Sequence, residues 1–127
     1  MSKPYTKKDL ELFEKLGREW EAILGLQDWD IDYRLARKDD GGGFVSRVYM
    51  LRDAMNATLV LGEEDDPPSV LPIEEYLDES VLHELFHLTL WPLRSLGEAR
   101  FGVAEADMTY EEHRIIQRLV KLLMGAR

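Results

Sequence analysis

The stretch Glu79-Ser80-Val81-Leu82-His83-Glu84-Leu85-Phe86-His87-Leu88-Thr89-Leu90-Trp91 decides how the chain is read, because it sets His-Glu-x-x-His inside a segment that is otherwise almost wholly apolar. At about 100° per helical residue, with His83 at zero, His87 falls at about 40° and Glu84 at about 100°. Both imidazoles therefore face one way. Val81, Leu82, Leu85, Phe86, Leu88 and Leu90 cover most of the remaining circumference, so the spacing predicts a helix buried in the core. Three polar side chains on one arc of such a helix need partners.

A zinc ion, one per chain, is a partner of the right chemistry. Two histidines one helical turn apart can both bring a ring nitrogen to a single Zn²⁺ at about 2.0–2.1 Å. The glutamate between them then lies beside the open coordination position. Coordination lowers the pKa of a bound water towards about 7, and a neighbouring carboxylate can take its proton as it attacks a carbonyl. In this reading Glu84 is the general base and His83 and His87 are ligands. The structural alternative is a pair of core histidines, one of them hydrogen-bonded to Glu84. Two histidines at metal spacing in an apolar helix favour the ion.

Bulk properties narrow the setting. The chain has 127 residues, 45% of them hydrophobic, enough for one domain spanning 1–127 around one core. It has no cysteine, which excludes a disulfide framework or a thiolate site, so any metal is held by nitrogen and oxygen. The polar start, Met1 to Lys8, is not followed by a signal peptide's apolar run, and no stretch is long and apolar enough to span a membrane. A cytoplasmic protein with no membrane partner is expected. A net charge of −9 and the lack of a basic patch argue against a nucleic-acid partner.

Along the chain, Thr6 with Asp9 three residues on predicts a capped helix, with Leu10, Phe13, Leu16, Trp20, Ile23 and Leu24 at helical spacing up to Gly25. From Trp29 to Ala36 the period changes to two, as in a strand with one buried face. Its alternating aspartates lack the glycine and distal glutamate of a calcium loop. Lys38-Asp39-Asp40-Gly41-Gly42-Gly43 predicts a flexible hairpin into a second strand, Phe44 to Leu51; no Gly-Lys-Ser/Thr ending makes it a phosphate loop. Asn56 to Gly62 is a third strand, running into the acidic, proline-containing loop Glu63 to Ser69. Such a strand can be an ordinary edge or can offer Asn56, Ala57, Thr58 and Leu59 to an extended peptide. The long helix is expected to begin near Pro72 or Ile73 and to stop at Trp91, before Pro92, with a connecting stretch from Leu93 to Asp107.

A catalytic zinc needs a third protein ligand, and the final helix is the place to look. With Glu112 at zero, Ile115, Ile116, Leu119, Val120, Leu122 and Leu123 fall within about 80° on either side, so Glu112 sits at the centre of the buried face. Glu111 and His113 lie about 100° to either flank. The order of preference is Glu112, His113, Glu111. Thr109-x-x-Glu112 is also a capping box, which would tie that carboxylate to the helix start instead. With Glu112 on zinc, His113 or Tyr110 would be the donor to a developing oxyanion.

From Asn56 to Leu123, His83-Glu84-x-x-His87 on a buried helix, with a short strand before it and a glutamate-bearing helix after it, resembles the zincin metallopeptidases. The likeness is closest to the gluzincin branch in minimal form, and to short zincin-like proteins of phages and prophages. It implies a helix over a small twisted sheet, an active-site helix beneath, and a peptide lying along an edge strand, here Asn56 to Leu61. The chain lacks the third histidine at short metzincin spacing and the Asn-Glu-x-x-Ser/Asp pattern of larger gluzincins. The expected fold is α+β: helix, three-stranded mainly antiparallel sheet, active-site helix, C-terminal helix. The expected function is zinc-dependent hydrolysis of peptide bonds in a peptide or protein substrate. The alternative is a zincin-like metal-binding or protein-interaction module that cleaves nothing.

Overall fold

The computed structural model describes residues 3–51, 53–64, 72–101 and 105–126. In chain order it forms β1 (Lys3–Pro4), α1 (Lys7–Leu24), β2 (Asp30–Leu35), a 3₁₀ turn (Lys38–Asp40), β3 (Ser46–Leu51), β4 (Asn56–Leu61), β5 (Glu63–Glu64), α2 (Ile73–Phe101) and α3 (Glu105–Ala126). The class is α+β, with three helices on two small sheets whose strand pairings are mostly antiparallel. None of the helices, among the described residues, is long and apolar enough to cross a membrane.

Helix α1 forms as its sequence predicts. The Thr6 hydroxyl accepts from the Asp9 N–H while the Asp9 carboxylate accepts from the Thr6 N–H, and Gly25 closes the helix in the left-handed conformation at φ 71°. Its Phe13, Leu16 and Trp20 are buried, and the Trp20 indole N–H donates to Asp78 on α2 at 2.5 Å. A buried carboxylate thereby gains a donor at the α1–α2 seam.

The three-stranded sheet has the order β2-β4-β3, with β4 parallel to β2 and antiparallel to β3. Two expectations are corrected here. The glycine-containing loop does not make a hairpin, because β2 and β3 are not neighbours; it carries the chain past β4 from one edge to the other. The loop is ordered by Asp40, which accepts two bonds from the Arg34 guanidinium, at 2.7 and 2.9 Å, and one from the Arg37 N–H. That guanidinium holds the Asp40 carboxyl well below the usual carboxylate range. Nor are Asn56, Ala57, Thr58 and Leu59 an edge. They belong to the central strand, paired on both sides, with Ala57 and Leu59 buried. The run Leu59-Val60-Leu61 is apolar on successive residues because both faces of β4 are covered.

Among the described residues, β3 is the edge strand beside α2. The Gly62 N–H donates to the Val45 carbonyl at 2.7 Å, which fixes the antiparallel alternation. Arg47, Tyr49 and Leu51 turn their main-chain groups to β4, and Ser46, Val48 and Met50 turn theirs outward.

Helix α2 begins where expected but does not stop at Pro92; it continues to Phe101 with the proline inside. Proline removes the one bond its N–H would have made to the carbonyl four residues back, and the residues beyond it can resume the ladder. Arg94 anchors that continuation by reaching Glu112 and Thr109 on α3. Helix α3 starts at Glu105, four residues before the expected cap, so Thr109 and Glu112 lie inside a helix and form no capping box at its start. The stretch given to a connection is thus largely helical. Of the acidic loop, Glu63 and Glu64 form β5 against β1, and Asp65 to Ser69 lie outside the described residues.

One core cluster joins Phe13, Leu16 and Trp20 of α1, Leu59 and Leu61 of β4, six α2 residues from Leu77 to Leu88, and Ile116 and Val120 of α3. At the exit of β4, a Cβ on Gly62 would lie 2.3 Å from the Phe44 carbonyl oxygen, a backbone atom that cannot rotate away. Gly62→Ala is therefore expected to destabilise the protein by about 1–3 kcal/mol, read as a lower urea midpoint with unchanged m-value; a wild-type midpoint would contradict this packing.

Candidate metal centre

The site lies where α2 and α3 pack beside β3. His83 and His87 are one turn apart on α2, and His113 comes from α3. Their ring centroids are 5.0–5.5 Å apart in all three pairings. Each offers one nitrogen, and these atoms all lie within 4.8 Å of one another, so the three histidines could hold a metal ion.

Hydrogen bonds set the tautomers. The Nδ1 of His113 lies 2.9 Å from the Thr109 carbonyl oxygen, which can only accept, so Nδ1 carries the proton and Nε2 keeps its lone pair. On His87, Nδ1 is bonded to Glu112 Oε1, which leaves Nε2 with its lone pair in the same way. Glu112 is held in turn by Arg94, which donates to Oε2 at 3.3 Å and to the Thr109 hydroxyl at 2.9 Å.

Glu112 does sit on the buried face of α3, in line with Ile116 and Val120. Its carboxylate goes to the outer nitrogen of His87, and the third histidine of the cluster is His113 on the flank of the helix. Glu111 faces outward and pairs with Arg114 at 3.3 Å; Tyr110 is 64% exposed, with the same guanidinium over its ring. Neither joins the cluster.

Glu84 is 8% exposed and projects beside the histidines, where its Oε2 accepts from the Ser46 hydroxyl at 2.8 Å. Burial pushes its carboxyl up to about 7, against the lowering effects of the Ser46 bond and of Arg47. Burial and the neighbouring His87 and His113 bring His83 down to about 4, and burial lowers His87 against the opposing pull of Glu112. Imidazoles held neutral in this way carry no proton that a metal must displace.

A cleft of about 360 Å³ opens over the cluster, walled by Ser46, Val48 and Met50 of β3 and by Trp91 and Arg94 of α2. A second depression of about 520 Å³ lies on the other side of Ser46, His83 and Glu84, towards Tyr76, Val120 and Lys121. Asn56 to Leu59 line neither. The sequence reading missed Ser46, whose signal was a polar residue in register with inward-facing Val48 and Met50, and Arg94, hidden by ending the helix at Pro92.

Comparison of the chain with protein-family models, with curated proteins and with solved structures gives no match in any of the three.

The shifted groups give a test of opposing signs in metal-free protein. A histidine whose folded pKa lies near 4 contributes stability that is present above its unfolded pKa of about 6.5 and is lost as pH falls towards 4. Glu84, raised to about 7, acts oppositely and favours the folded state as pH falls through 7 towards its unfolded value. In wild type the two act in opposite directions over this range. Glu84→Gln removes the second effect, so its urea midpoint in EDTA is expected to fall more steeply than wild type's between about pH 6.5 and 4; parallel profiles would contradict these environments.

Proposed function

We propose that the chain is a zinc-dependent peptidase in which His83, His87 and His113 hold the metal and Glu84 is the general base. The observation that carries this reading is the three-imidazole cluster with a buried carboxylate beside it and two depressions meeting at the same residues. The donor set is all nitrogen, which suits zinc better than calcium or magnesium. Nitrogens around a tetrahedral zinc lie about 3.3 Å apart, a contraction from the present spread that side-chain rotation can supply. Three protein ligands leave the fourth position open, as catalytic sites require.

When bound, zinc supplies Lewis-acid polarisation of a carbonyl and acidifies water at its open position. The chain's own groups do the rest. Glu84 takes the proton of the attacking water on its free oxygen and returns it to the departing amine nitrogen as the C–N bond breaks. Glu112 keeps His87 in one tautomer and one orientation, and Arg94 keeps Glu112 in place. An extended peptide would add to the free edge of β3, with its main chain on the outward N–H and C=O groups of Ser46, Val48 and Met50. The strand that receives the substrate is then β3, in place of Asn56 to Leu61.

The test uses zinc-loaded protein and a library of internally quenched peptides blocked at both ends. Wild type is expected to retain about one zinc per chain and to cleave members of the library. Glu84→Gln is expected to retain zinc and to lose turnover at least about 100-fold. A folded protein that holds no zinc, or a Glu84→Gln variant that turns over like wild type, would overturn the reading.

A further inference from the structure

We propose that Ser46 is a positioning residue for Glu84: its hydroxyl fixes one carboxylate oxygen from the free edge strand, leaving the other for water, and its main chain receives the substrate. This inference rests on the peptidase reading. It adds a residue outside the His-Glu-x-x-His helix that ties the base to the bound chain.

Three observations converge on Ser46. Its Oγ donates to Glu84 Oε2 at 2.8 Å across 38 residues of sequence, so the bond joins β3 to α2 rather than stabilising a local turn. Among the described residues it is the hydrogen-bond donor to a carboxylate that is otherwise enclosed. The alternation of β3 also sends the N–H and C=O of the same residue to the open edge.

Geometry makes the pairing consequential. A glutamate has three rotatable torsions, and a carboxylate free to turn among them is in place for only part of the time. Holding Oε2 reduces that freedom and leaves Oε1 as the oxygen available to a water. Because the main chain of Ser46 would carry the substrate's main chain, the carboxylate and the scissile carbonyl share one frame. Misplacement by about 1 Å can cost about 100-fold in rate. Ser46 also lines both depressions, which places it at the point where a bound chain would cross from one to the other.

Ser46→Ala and Ser46→Thr, each zinc-loaded, are compared with wild type on the same blocked peptides. Ser46→Ala is expected to lower kcat about 10- to 100-fold, with KM changed less than about twofold and zinc content unaltered; Ser46→Thr, which keeps the hydroxyl and suits a strand, is expected to recover most of kcat. A second measurement needs neither metal nor turnover. In EDTA, the urea midpoints of Ser46→Ala, Glu84→Ala and the double variant are expected to be non-additive, the double shift being smaller than the sum. Wild-type kcat in Ser46→Ala, failure of Ser46→Thr to recover turnover, or additive midpoints would overturn the assignment while leaving the peptidase reading intact. A wild-type protein that cleaves nothing overturns both.

Discussion

A helix that is apolar around most of its circumference must be covered on most sides, and that constraint organises this molecule. Leu77, Val81, Leu82, Leu85 and Leu88 of α2 are each at most 1% exposed. Burial of side chains of this size favours folding by about 1.5–3 kcal/mol each, as an upper bound. The cover comes from α1, from the sheet and from α3, all joined in one core. What they leave open is the arc that carries His83, Glu84 and His87. The cleft is the gap in the cover, and its chemistry is whatever polar groups that arc carries.

Those polar groups are costly to bury, and the structure offsets the cost in a way that also prepares them to act. Glu112 and the Thr109 carbonyl engage the Nδ1 atoms of His87 and His113. Each bond satisfies a half-buried ring and frees the opposite nitrogen. Arg94 extends the arrangement, with its guanidinium shared between Glu112 and Thr109. Ser46 does the same for Glu84 from the strand side. Stability and preorganisation are therefore hard to separate here, since the bonds that make the site tolerable in the core also aim it.

The sequence carried much of this, unevenly. Local rules sufficed for α1, because its cap, its apolar stripe and its terminal glycine all lie within the helix or beside it. They also placed His83 and His87 on one arc and Glu112 on the buried face of α3. They failed wherever the answer depended on partners distant in sequence. Nothing local to Asn56–Leu61 reveals that β2 pairs with it in parallel, which turns an expected edge into the centre of the sheet. Pro92 is a sound stop signal by itself, but Arg94 beyond it finds partners on α3 that reward a longer helix. Periodicity gave the direction of Glu112 and not what it would meet. By sequence His113 stands second among the candidate third ligands, and packing decides its place in the cluster, because a flank position of one helix meets the histidines of another only when the two helices are in place.

The most direct test of the account is X-ray absorption at the zinc edge on zinc-reconstituted protein. A four-coordinate site with three imidazoles, recognised by their outer-ring scattering, at about 2.0–2.1 Å is the predicted result. Two imidazoles with a carboxylate would contradict the assignment of His113 over Glu112, and failure to retain zinc would contradict the metal centre itself.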